Sequence, residues 1–253
     1  MTAEATATGS PVAPLWGELR YGRELARLMG DREFRASRRS ADAQPMLLIP
    51  GFMAGDASLT VLRQWLHRHG HRVKMSGIRV NVGCAERLVE RLEDQLLALA
   101  SQSGRPVFLI GQSRGGTLAR SLAVRHPEIV SGLVMLGSPV QDGLAVSPSV
   151  LRTVRWMALL GDAGVPGVFS SSCKDGTCCA RFRGDLEAPL EADIDATAVH
   201  SRSDGIVDWR ACVDPYAQTV ELDASHCGMA VNLDVYRMLE GALERTREAA
   251  WNG

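Results

Sequence analysis

A chain of 253 residues that is 45% hydrophobic and 23% charged has enough apolar material for one large core, which excludes wholesale disorder. Its 28 basic and 29 acidic residues leave a formal charge of -1. That balance excludes a global pull toward nucleic acid or an anionic bilayer, so no nucleic-acid partner is expected.

Residues 1–14 are small and polar, without the basic start and apolar run of a secretory leader. A cytoplasmic location is expected, with secretion the alternative if a leader has been removed. No apolar stretch reaches the roughly twenty residues of a membrane span, and no transmembrane segment is expected. Leu15, Leu19, Leu25 and Leu28 recur at near-helical spacing and predict a helix over residues 16–29. A charged segment, 31–42, follows; its Arg35, Arg38 and Arg39 read as a solvated patch.

Residues 46–49 form a short apolar run ended by Pro50 and Gly51, a buried strand opening into a loop. A helix is expected over 59–69, stopped by Gly70, and a second strand over 72–78. Leu88, Val89, Leu92, Leu96, Leu97 and Leu99 stand among acids and arginines and predict an amphipathic helix over 84–100. Residues 106–110 are almost wholly apolar, as a central parallel strand is. A helix over 114–125 ends before Pro127, and 129–136 reads as another buried strand. This alternation predicts an α/β fold with a mostly parallel sheet covered by helices on both faces.

The rhythm breaks over residues 137–190, too long for an ordinary loop, with an apolar helical segment at 150–160 and the cysteines Cys173, Cys178 and Cys179. It resumes with strands at 194–199 and 218–222 and a closing helix at 231–249. The expected organisation is an N-terminal tail and helical extension (1–43), a core (44–136 and 191–253) and a cap or lid insertion (137–190). The six cysteines, which also include Cys84, Cys212 and Cys227, permit disulfides near the 173–179 cluster. Free thiols and a metal stay open as alternatives, although the spacing is not a paired CxxC zinc pattern.

Gly111–Gln112–Ser113–Arg114–Gly115 directly follows the 106–110 strand and begins a helix. A small residue on each side permits a sharp strand-to-helix turn that lifts the serine hydroxyl to the carboxyl end of the sheet. The segment does not fit a phosphate-binding GxxxxGK[ST] loop, and Ser113 is the expected nucleophile. Its base is expected to be His226, in the loop between the 218–222 strand and the last helix; His200, at a strand end, is the alternative. Asp204, in Ser203–Asp204–Gly205, is the expected orienting acid, and Asp208 is the alternative unless it caps the turn at Trp209. The oxyanion amides are expected to be Arg114 and Phe52, with Met53 in reserve. The Arg114 side chain is expected to be solvated; contact with a substrate carboxylate or an acidic neighbour is the alternative.

From Pro50–Gly51–Phe52 to the final helix the chain resembles the α/β-hydrolase superfamily, and within it bacterial lipase- and esterase-like members. The resemblance implies acyl transfer through a covalent acyl-enzyme, with water as the usual acceptor and no metal or organic cofactor. A carboxylic ester, small or lipid-like, is the expected substrate because it needs least leaving-group protonation, and Met53, Trp156, Met157 and Phe169 are the candidate acyl-binding wall, with core packing the alternative for each. Amide or thioester hydrolysis and acyl transfer to another acceptor would use the same groups. A non-catalytic binding protein on this fold is the reading from another class. Oligomeric state is not legible.

Overall fold

The computed structural model describes residues 12–36 and 43–252; Arg38 and Arg39 lie outside them. Six strands form one sheet: β1 (Pro45–Ile49), β2 (Arg72–Met75), β3 (Val107–Gln112), β4 (Val130–Leu136), β5 (Asp195–His200) and β6 (Gln218–Glu221). Their order is 2-1-3-4-5-6 and every pairing is parallel. Every residue of β1 and β3 is buried, which explains their unbroken apolar runs; β2 and β6 close the edges with charged and exposed residues.

Nine helices accompany the sheet among the described residues. α1 (Tyr21–Gly30) and the short α2 (Arg32–Arg35) precede it, followed by α3 (Thr60–Arg68), α4 (Ala85–Ser103) and α5 (Arg114–Arg125). The inserted segment holds α6 (Pro148–Asp162), α7 (Ser172–Asp175) and α8 (Ala180–Glu187), and α9 (Leu233–Asn252) closes the chain. Strand alternation divides the core in two. Met46, Leu48, Phe108 and Ile110 pack with α1, α3 and α9, while Leu47, Ile49, Leu109 and Leu133 pack with α4 and α5. Strand 72–78 of the sequence reading stops at Met75 because residues 76–78 turn back to bond Asp56. No helix of the described residues is long and apolar enough to cross a membrane.

The insertion is tied to the core by charge as well as by apolar packing of Val140, Cys179 and Leu190. Arg120 lies on the buried side of α5 at 1% exposure, its Nε 2.5 Å from Asp214 Oδ2, and it also donates to the carbonyls of Asp185 and Ala188 at the end of α8. Arg125 and Ser121 donate to the Asp185 carboxylate. Removing one partner of a buried pair leaves the other charge uncompensated. Asp214→Ala is therefore expected to cost about 3–5 kcal/mol of stability, read as a lowered urea midpoint. A change within about 0.5 kcal/mol, the range of an ordinary surface substitution, would contradict this account of the anchor.

Candidate active site

The strand order reverses between β1 and β3, so the crevice outside their carboxyl ends is where an open α/β sheet places a ligand. Ser113 sits there, between the end of β3 and the first turn of α5, with φ 51° and ψ -125°. A side chain on L-residues disfavours this backbone, and the turn holds it by two bonds: the Ser113 amide donates to Leu136 O (2.7 Å) and its carbonyl accepts from Gly116 N (2.9 Å). The flanking glycines are a packing requirement. A Cβ on Gly111 would collide with the backbone of Gly115 and Gly116, and one on Gly115 with the carbonyls of Ile49 and Pro50.

His226 and Asp204 come from the loops after β6 and β5. His226 Nδ1 stands 2.6 Å from Asp204 Oδ2, with both side chains buried. The other carboxylate oxygen of Asp204 accepts from the amides of Ile206 and Val207, each at 2.8 Å, which fixes its plane. Asp208 instead accepts from Arg210 N and caps the turn Trp209–Cys212. His200 stacks on Trp209 and has Glu221 at 3.5 Å, so its ring is occupied elsewhere. Two contacts bring the His226 loop to the Ser113 turn. Gln112 Nε2 donates to His226 O (3.1 Å), and the Cα of Gly137, one residue past the partner of the Ser113 amide, lies against the imidazole, since a Cβ there would stand 3.1 Å from its Nδ1.

Burial works against a charged His226. The Asp204 carboxylate, its hydrogen bond and Glu18 outweigh that burial and hold the imidazole above its ordinary 6.5.

Three supports escaped the sequence reading. Glu18 accepts from the amides of His226, Cys227 and Gly205, and Glu24 accepts from the Ser225 amide and hydroxyl. The N-terminal segment is thus part of the scaffold of the histidine loop. A signal existed: Glu24 lies one helical turn before Leu28, on the apolar face of α1. The third is Asn81, fully buried, whose side-chain nitrogen donates to Pro50 O (2.7 Å) and whose carbonyl accepts from Met53 N (3.2 Å).

That last bond distinguishes the two amides of the loop after β1. The Met53 amide is engaged, whereas the Phe52 amide has no hydrogen-bond partner among the described residues. The Arg114 amide, at the first position of α5, has no acceptor within its helix. The Arg114 side chain corrects the expectation of solvation. It donates to Asn81 Oδ1 (2.7 Å), to Asn81 O and to Gly83 O, with its guanidinium 5.5 Å from the centre of the Phe169 ring. Burial pulls its pKa down to about 10, which leaves it cationic at neutral pH. It braces the loop instead of meeting solvent.

Of the four candidate wall residues, Phe169 is held against the site. Its ring is 6.1 Å from that of Phe52, and its amide donates to Val82 O. Met53 is half-exposed at the loop tip, with φ 56°. Trp156 is 67% exposed on α6, and Met157 is partly buried on the same helix, none of whose residues is fully buried.

Solved structures share this arrangement of strands and helices. The mature form of a Bacillus licheniformis lipase superposes with a TM-score of 0.59 at 15% identity, covering 81% of this chain and 93% of that one. A soluble variant of the Saccharomyces cerevisiae monoglyceride lipase gives 0.56 at 14%, covering 84% and 88%. The chain has the α/β-hydrolase fold. A model of the serine aminopeptidase, S33, family matches residues 68–171. Triacylglycerol lipases of Pseudarthrobacter phenanthrenivorans and Burkholderia plantarii are each 28% identical over 162 residues, or 57% of this chain and 50% and 45% of theirs. The chain thus spans about half the length of the curated relatives it matches.

The Asn81 brace carries a prediction. Asn81→Ala removes the side-chain bonds to Pro50 O and from Arg114, keeps the bonds to the Asn81 main-chain carbonyl and spares the elbow, so the Phe52 amide is held less firmly. Misplacement of a group by about 1 Å can cost on the order of 10²-fold, and a loss of that size is expected in kcat with little change in KM. Steady-state kinetics on a variant with wild-type circular dichroism checks it; a change confined to KM would contradict the bracing role.

Proposed function

We propose that the protein is a carboxylic ester hydrolase acting through Ser113, His226 and Asp204 by a covalent acyl-enzyme. The observation that carries this reading is the buried 2.6 Å bond between His226 Nδ1 and Asp204, formed at the end of the sheet where Ser113 occupies its left-handed turn. Bound through Nδ1, the imidazole keeps Nε2 as the free base for the serine hydroxyl. Ser113 Oγ attacks the ester carbonyl as His226 takes its proton. The Phe52 and Arg114 amides receive the oxyanion, at the positive end of the α5 dipole. His226 returns the proton to the leaving alcohol and then activates water to release the acid. Asp204 holds the ring and balances its transient charge.

The relatives named lipases support an ester as the substrate. The Phe52–Phe169 pair supports an acyl chain lying between the oxyanion loop and the insertion. In this reading residues 44–136 and 191–253 supply the chemistry, 137–190 cap the acyl site, and 1–43 include the support for the histidine loop. A series of p-nitrophenyl esters from acetate to palmitate tests it. Hydrolysis with a burst of p-nitrophenol and a preference for longer chains is expected. Absence of ester turnover by folded protein would overturn the esterase reading, and a preference for short chains without interfacial activation would overturn its lipase-like form.

A further inference from the structure

We propose that Cys84, Cys173, Cys178 and Cys179 form a structural tetrathiolate zinc site that clips the inserted segment to the core. The sequence shows three of these cysteines close together; the fold supplies the fourth from 89 residues before Cys173, at the residue that precedes α4. The four sulfurs lie within 4.8 Å of one another. Cys84 and Cys179 are 3.4 Å apart, and Cys178 is 3.8 Å from both Cys173 and Cys179. Tetrahedral zinc with Zn–S bonds of about 2.3 Å requires sulfur separations of about 3.8 Å, so the cluster already brackets the required shape. All six cysteines are free, and the four sulfurs form one group instead of two bonded pairs.

The surroundings suit an anionic centre. Cys84 is the residue that precedes α4, beside the unpaired amides of that helix's first turn. Such amides direct thiolates and tune their metal. Four thiolates on a divalent ion carry a net charge of -2, and the Arg114 guanidinium, bonded to the carbonyl of Gly83 next to Cys84, supplies a nearby positive charge. All-sulfur tetrahedral donor sets favour zinc over hard cations. With all four positions filled by protein the site is closed, which makes its role structural. It joins α7 and the turn Thr177–Cys179 to the start of α4, next to the Gly83 carbonyl that holds Arg114.

The test is independent of the reaction the protein catalyses. Protein purified under reducing conditions without added metal is expected to carry one zinc per chain by elemental analysis and native mass spectrometry. Cobalt titrated into the reduced apoprotein is expected to saturate at one equivalent, with thiolate charge-transfer bands and the visible bands of tetrahedral cobalt. Cys84→Ser and Cys179→Ser are expected to abolish both signals, and Cys212→Ser to leave them intact. Should the serine variants fail to fold, the wild-type cobalt spectrum decides alone. Cobalt spectra without thiolate bands, substoichiometric binding, or a reducible mass deficit of two disulfides in the purified protein would each overturn the proposal.

Discussion

Ser113→Ala is expected to lower the turnover of an ester substrate by about 10⁶-fold, because the nucleophile and its base act as a unit. The variant is a clean deletion. The 2.7 Å bond from the Ser113 amide to Leu136 and the 2.9 Å bond from Gly116 to the Ser113 carbonyl are main-chain contacts that alanine keeps. Alanine is also no worse suited than serine to φ 51°. Stability and circular dichroism are expected to match the wild type, with substrate binding retained. The residual rate is expected to exceed the uncatalysed one by about 10³–10⁴, the share left to oxyanion stabilisation and binding. Single-turnover kinetics at high protein concentration measures it. A loss below tenfold would remove Ser113 from the reaction.

Asp204→Asn is expected to cost about 10⁴-fold in turnover with the fold intact. The asparagine oxygen can still accept from the Ile206 and Val207 amides, which leaves the NH₂ group facing His226 Nδ1. A donor there forces the tautomer whose Nε2 carries the proton, and that imidazole cannot take another from Ser113. The pH profile separates this from a simple distortion. In the wild type, burial lowers the His226 pKa, but Asp204 and Glu18 raise it further, to above 6.5. The base works when neutral, so kcat/KM is expected to fall as pH drops through that raised value. In the asparagine variant the dominant upward influence is gone while burial persists. The acid limb is expected to move to lower pH as the plateau drops. An unshifted limb would show that Asp204 does not govern the titration of the base.

The parallel sheet was legible because β1, β3 and β4 are buried on both faces and therefore carry continuous apolar runs. The elbow was legible for a steric reason: Gly111 and Gly115 are demanded by backbone atoms within a few residues or one strand away. What escaped were partners set by long-range contact. Glu18 and Glu24 reach loops about two hundred residues later; the apolar face of α1 marks Glu24 as buried, but nothing local names the distant amides that it and Glu18 accept from. Arg114 read as solvated because an arginine after a serine has no local partner; its acceptors, Asn81 and Gly83, arrive through the loop between β2 and α4. Arg120 hides in a helix whose buried residues include Leu118, Ala119 and Leu122. Cys84 read as the start of a helix, and only the fold brings it to the other three thiols.

The central claim is that the Ser113 hydroxyl is activated by His226. A serine-reactive fluorophosphonate tests it most directly, with the adduct located by peptide mass mapping. The account predicts one label per wild-type chain, on Ser113, with none on Ser113→Ala and much slower labelling of Asp204→Asn. Folded wild-type protein that takes no label, or takes it on another residue, would contradict it.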